Sequence, residues 1–161
     1  MAYQMKVDGL SEVAEQLAQM GEKTQAVAAR ALYEGAAVMV REIKSGAETI
    51  RTAPFKYARN GETRLPSPEE KEIVTGVGAG VAKFDKNGTE VDTSVGYKNA
   101  GYAELNGKKR PIPAIVNAIN SGTSFMPKQP FVRKAANSGG PKAIEAMKRA
   151  IEADFEAMTK K

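Results

Sequence analysis

The stretch Glu72-Ile73-Val74-Thr75-Gly76-Val77-Gly78-Ala79-Gly80-Val81-Ala82-Lys83-Phe84, followed by Asn87-Gly88 and then by Thr89 to Tyr97, decides how this chain folds. Apolar and β-branched residues fill its first arm. Asn-Gly supplies two residues that accept positive φ, as a two-residue hairpin turn requires. In the second arm Val91, Thr93, Val95 and Tyr97 alternate with Asp92, Ser94 and Gly96, the period of a strand with one buried face. The reading is a β-hairpin over 72–97 with a glycine-rich first arm. Gly76, Gly78 and Gly80 invite comparison with a dinucleotide fingerprint. That fingerprint has two residues before its third glycine and opens a helix whose N-terminus holds phosphate. Here a hairpin turn follows, so close passage of another backbone is the better account of these glycines.

Helical periods flank the hairpin on both sides. Upstream, Tyr3, Met5 and Val7 alternate as in a short strand, and Leu10, Val13, Leu17 and Met20 recur as in a short helix capped by Ser11. A longer helix is expected over 25–45, with Ala28, Leu32, Gly35, Met39 and Ile43 on one face. Its many alanines let a second backbone approach closely. Residues 46–72 carry Pro54, Gly61, Pro66 and Pro68 and read as a long, irregular and flexible arm, with Glu69, Glu70 and Glu72 in a solvated charge run. Downstream, Tyr102, Ala103 and Leu105 fit a strand, and Pro113 to Asn120 a short helix with Pro113 in its first turn. The wider segment 98–130 reads as an extended loop. A final amphipathic helix is expected to begin at Pro141 after Gly139-Gly140, with Ile144, Met147, Ile151, Phe155 and Met158 as its apolar stripe. The fold class expected is α+β: a long helix and a C-terminal helix packed on a small antiparallel β-sheet, in a single domain over 1–161.

The 161 residues are 42% hydrophobic and 27% charged, the composition of a globular domain. No apolar run is long enough to span a membrane, and the first residues contain no apolar signal segment, so synthesis and residence in the cytoplasm are expected. The chain has neither cysteine nor histidine. That removes thiolate nucleophiles, disulfides, the usual catalytic triads and most transition-metal sites. No nucleophile–base pair and no ligand cluster is found among the carboxylates, lysines and tyrosines that remain. The expectation is a protein that is not an enzyme and takes no cofactor and no metal. A net charge of +5 permits contact with nucleic acid without requiring it. Arg51, Lys56, Arg59 and Arg64 interleave with Phe55 and Tyr57, and Lys108-Lys109-Arg110 form a second cluster. Cations with aromatics suit a nucleic-acid groove. They equally suit an arm that orders on a partner protein, which is favoured here because no further basic cluster adjoins the arm.

The segment Gly122-Thr123-Ser124-Phe125-Met126-Pro127-Lys128-Gln129-Pro130-Phe131-Val132-Arg133-Lys134-Ala135 is punctuated by two prolines that forbid a regular helix across it. Its apolar side chains must be pinned onto the chain's own core or onto a neighbouring subunit. Together with Val95-Gly96-Tyr97 and the Gly9-Leu10 step, it resembles the gene-product-ten family of lambdoid phage tail components. In that family a strand ending in Val-Gly-Tyr precedes a Gly-Thr-Ser turn, a Met-Pro-x-x-Pro-Phe-apolar-Arg segment and a C-terminal helix. Here those positions are Gly122, Thr123 and Ser124, then Met126, Pro127, Pro130, Phe131, Val132 and Arg133. The resemblance implies a structural virion protein at the head–tail junction, a neck or tail-completion component. It implies a homo-oligomeric ring, expected to be hexameric, with other phage neck and tail proteins as partners and no membrane. Phe55, Tyr57, Gly122, Thr123, Met126, Pro130, Phe131 and Arg133 are then the expected subunit or partner contacts. Arg51, Lys56, Arg59, Arg64, Lys108, Lys109 and Arg110 are the residues expected to face passing DNA. The alternative is a small basic nucleic-acid-binding module using the same cations.

Overall fold

The computed structural model describes residues 23–79, 83–84, 91–97 and 100–159. The strand expected at 3–8, the helix from Leu10 to Met20 and the Asn87-Gly88 turn lie outside them. The elements in order are helix α1 (Lys23–Glu48), α2 (Pro68–Thr75), strands β1 (Gly78–Ala79), β2 (Lys83–Phe84), β3 (Val91–Asp92), β4 (Val95–Gly96), β5 (Tyr102–Leu105) and β6 (Lys108–Pro111), then α3 (Ile112–Ser121) and α4 (Phe131–Thr159). This is an α+β fold. Its strands form three two-stranded antiparallel pairs, β1 with β4, β2 with β3 and β5 with β6. Among the described residues no helix is long and apolar enough to cross a membrane.

The frame is the antiparallel pair α1 and α4. Small residues set how closely they approach. A Cβ on Gly35 would run into Met147 Cε, and one on Gly139 would lie 2.9 Å from both Met39 Sδ and Glu42 Cγ. The pair serves two apolar clusters. Ile43 and Ala47 of α1 meet Phe131, Val132 and Ala135 in one, which also takes in Val74, Leu105 and the inner face of α3. Val27, Leu32 and Met39 meet Ala143, Met147 and Ile151 in the other. Full burial of a side chain such as Met39 or Met147 contributes roughly 1.5–3 kcal/mol, which is why packing rather than helix propensity holds these elements.

That packing explains a departure from the sequence reading. The last helix does not begin at Pro141: α4 starts at Phe131 and carries Pro141 in its interior. A mid-helix proline removes one hydrogen bond and costs about 3 kcal/mol. The helix survives because both flanks are buried in the two clusters. Across the proline, Glu42 of α1 also accepts hydrogen bonds from Ser138 Oγ at 3.1 Å and Lys142 Nζ at 2.7 Å. Those bonds, the one from Lys142 first, hold the Glu42 carboxyl below its ordinary value. The apolar stripe is also narrower than expected, since Ile144 and Met158 are exposed.

The hairpin of 72–97 is present but starts later. Gly78 pairs with Gly96 and Ala79 with Val95; Lys83 pairs with Asp92 and Phe84 with Val91. Glu72 to Thr75, expected in its first arm, instead complete α2. The signal for α2 is a capping box: Ser67 Oγ accepts from the Glu70 N–H, the Glu70 carboxylate accepts from the Ser67 N–H, and Pro68 occupies the first turn. The buried Tyr97 hydroxyl donates to the Val74 carbonyl and ties the hairpin's end to the last turn of α2. The segment 98–130 is not an extended loop over its length. It holds the β5–β6 hairpin, in register from Tyr102 opposite Pro111 to Leu105 opposite Lys108, and then α3. Asn106 and Gly107, at φ 52° and 72°, form the turn, the positive-φ pair that a type I′ hairpin needs.

Candidate functional site

The Gly122–Arg133 segment is a pinned joint between α3 and α4. Gly122, at φ 79° and ψ 169°, ends α3 in a conformation that is essentially glycine-only. A Cβ there would also meet the Lys128 backbone nitrogen at 2.9 Å. Thr123 and Met126 close a turn on each other, with the Thr123 N–H donating to the Met126 carbonyl at 2.8 Å. The Gln129 N–H then donates back to the Ile119 carbonyl at 2.8 Å. Asn120, buried in the last turn of α3, accepts from the Val132 N–H at 3.1 Å and so caps the start of α4. Pro130 sits just before that start.

Two residues of the 51–67 stretch lock onto this joint. The Gln129 side-chain amide accepts from the Arg51 N–H at 2.9 Å and donates to the Arg51 carbonyl at 3.2 Å. The Arg64 N–H donates to the Phe125 carbonyl at 2.7 Å. The Arg64 guanidinium turns inward. Its two terminal nitrogens each donate to a Glu70 oxygen at 2.7 Å, and its Cζ lies 5.1 Å from the Phe55 ring centroid. Phe55 in turn meets Tyr57 edge to face at 5.0 Å. Burial works to raise the Glu70 carboxyl, but the Arg64 hydrogen bonds, the Ser67 N–H and the charges of Arg64 and Arg110 outweigh it and leave the group lowered. Glu69 is lowered too, first through the Ser67 hydroxyl. Burial alone pushes the Tyr97 phenol up.

Several expected site residues therefore do other work. Arg64 is 6% exposed and paired, so it cannot face DNA, and Glu70 is buried rather than part of a solvated charge run. The sequence conceals this because partners six positions apart meet only once Ser67 has started α2. Met126 and Phe131 are 2% and 3% exposed and belong to the chain's own core, which leaves no surface for a subunit contact. Pro130, Gly122 and Phe55 are half-buried; Thr123, Arg133 and Tyr57 are exposed. Arg51, Lys56 and Arg59 are exposed along the 51–67 stretch, and Lys108, Lys109 and Arg110 are exposed in β6. The structuring side chains Asn120, Gln129 and Glu70 were not among the expected site residues. For Glu70 the Ser67-x-x-Glu70 spacing was a readable signal; Asn120 and Gln129 carry none in sequence. Among the described residues no group of three or more carboxylates could hold a metal ion.

Comparison with protein-family models, with curated proteins and with solved structures finds no match for this chain.

Proposed function

We propose that this chain is a structural component of a tailed-phage virion, acting without catalysis at the head–tail junction as a neck or tail-completion protein and assembling there as a homo-oligomeric ring. The observation that carries this reading is the Gly122–Arg133 joint. Its Met126-Pro127 and Pro130-Phe131-Val132-Arg133 residues resemble the phage tail-component family, and they form the joint at which α3, α4 and the 51–67 stretch are fastened together. Met126 and Phe131 hold it from inside, while Phe125, Lys128 and Arg133 remain exposed on its outer side. A rigid joint with an exposed rim is what a subunit needs when the surfaces beside it must meet neighbours in fixed geometry.

The reading is tested on particles. Peptide mass spectrometry of purified virions from the phage whose genome carries this gene is expected to find the chain at several copies per particle. Its absence from intact particles would overturn the proposal. A second reading, a basic module that binds nucleic acid without sequence readout, draws on β6, where Lys108, Lys109 and Arg110 stand exposed in a row beside the 72% exposed Tyr102. Steeply salt-dependent binding of DNA by the isolated chain would favour it, and no binding at low salt excludes it.

A further inference from the structure

Between α2 and the β5–β6 hairpin lies an open groove of about 510 Å³. Its floor is apolar, formed by Ile73, Leu105 and Ile112, and its rim carries the exposed carboxylates Glu69, Glu72 and Glu104. Among the described residues no salt bridge engages Glu72 or Glu104, although Glu104 stands opposite Lys109 in the ladder. The lining itself holds these three carboxylates and no lysine or arginine, while Lys108, Lys109 and Arg110 stand exposed on the neighbouring strand β6. The same chain presents the complement on another surface. Lys56 and Arg59 flank Tyr57, which is 67% exposed. Tyr57 is held edge-on by Phe55, Phe55 by Arg64, and Arg64 by Glu70. An exposed aromatic already fixed in place loses little freedom on docking.

Glu70 turns toward Arg64 and the chain's own loop, whereas Glu69, Glu72 and Ile73 of α2, with Gly76 just past its end, line the groove. We propose that this groove receives the Lys56–Arg59 loop of a second copy of the chain, with Tyr57 on the apolar floor and Lys56 and Arg59 against the three carboxylates. Loop and groove are different patches of one subunit, so the contact is head-to-tail and propagates, closing into a ring when the rotation permits. The inference rests on the ring-forming role proposed above and assigns that role a surface.

The chain has no cysteine of its own, which makes engineered pairs clean reporters. Full-length Ala58→Cys and full-length Ala100→Cys, one beside Tyr57 and one at the groove, are purified separately, mixed and mildly oxidised. Native mass is measured on the same mixture. The mixed disulfide is expected at least roughly tenfold above that of a control pair joining Ala58→Cys to the remote, exposed Ala157→Cys. It is expected to fall to the control level when the groove copy also carries Glu72→Lys and Glu104→Lys, or the loop copy Tyr57→Ala. A mixed disulfide no more abundant than the control overturns the proposal. If oligomers form without it, the groove assignment fails and the ring reading stands. If the mixture stays monomeric without it, the groove assignment fails and the ring reading is decided on virions.

Discussion

Arg64→Ala strands a carboxylate. Glu70, 3% exposed, keeps only the Ser67 N–H and loses both guanidinium donors, each at 2.7 Å. Removing one partner of a buried ion pair costs about 3–5 kcal/mol, because the survivor is left desolvated and uncompensated. For a chain of this length each kcal/mol moves the melting temperature by roughly 2–4 °C, so a loss of about 6–20 °C is expected by calorimetry at neutral pH. The pH dependence carries the sharper signature. In the natural chain the folded pKa of Glu70 lies below its unfolded value, so the pair's contribution is complete above about pH 4.3 and fades as pH falls through the lower folded value. In Arg64→Ala only the Ser67 N–H and the charge of Arg110 still oppose burial, which is the largest of the causes, so the folded pKa rises and acid relieves the stranded charge. The gap between the two proteins is therefore widest near neutrality and narrows below about pH 4. Double replacement, Arg64→Met with Glu70→Leu, should lose less than the sum of the single changes. A loss under about 1 kcal/mol, or a gap indifferent to pH, would refute the reasoning.

Other perturbations test the packing and the joint directly. Phe131→Ala should cost about 3–5 kcal/mol, since the ring is 3% exposed in the core beneath the joint, whereas exposed Arg133→Ala should leave stability within about 0.5 kcal/mol; urea titration of both variants checks the contrast. Gly122→Ala combines a glycine-only conformation with a backbone clash at 2.9 Å and should cost at least roughly 1–3 kcal/mol; an unchanged melting temperature would show that the turn can relax. Pro141→Ala restores a donor inside α4 and should raise stability by up to about 3 kcal/mol; no gain would mean that the helix has already adapted around the proline. Tyr97→Phe removes the bond to the Val74 carbonyl and should cost about 1 kcal/mol, and ultraviolet titration of the two proteins should differ by a phenol that ionises above the ordinary tyrosine range.

Much of the fold was legible where a signal is local. The 3.6 period marked α1, Pro113 marked the start of α3, and alternation from Val91 to Tyr97 marked the hairpin's second arm. The first arm was over-extended because Ile73 and Val74 are β-branched, while the capping box that places them in α2 spans Ser67 to Glu70. Asn106-Gly107 carried the same hairpin signal as Asn87-Gly88, but the strand after it is Lys108-Lys109-Arg110, whose charge hides its pairing. Pro141 was misread as a beginning because its role depends on Met39 and Glu42 packing against Gly139, a contact made far away in sequence. The joint was legible as a segment that must be pinned. Which residues pin it was not, because Asn120, Gln129 and Arg64 act through partners on other elements.

On the proposed reading that the chain is a tailed-phage component, the most direct measurement is electron microscopy of the particles made when its gene is disrupted. A head–tail junction component predicts filled heads and separate tails in the same lysate, with joined particles restored when the chain is supplied in trans. Joined, infectious particles without it would contradict the account.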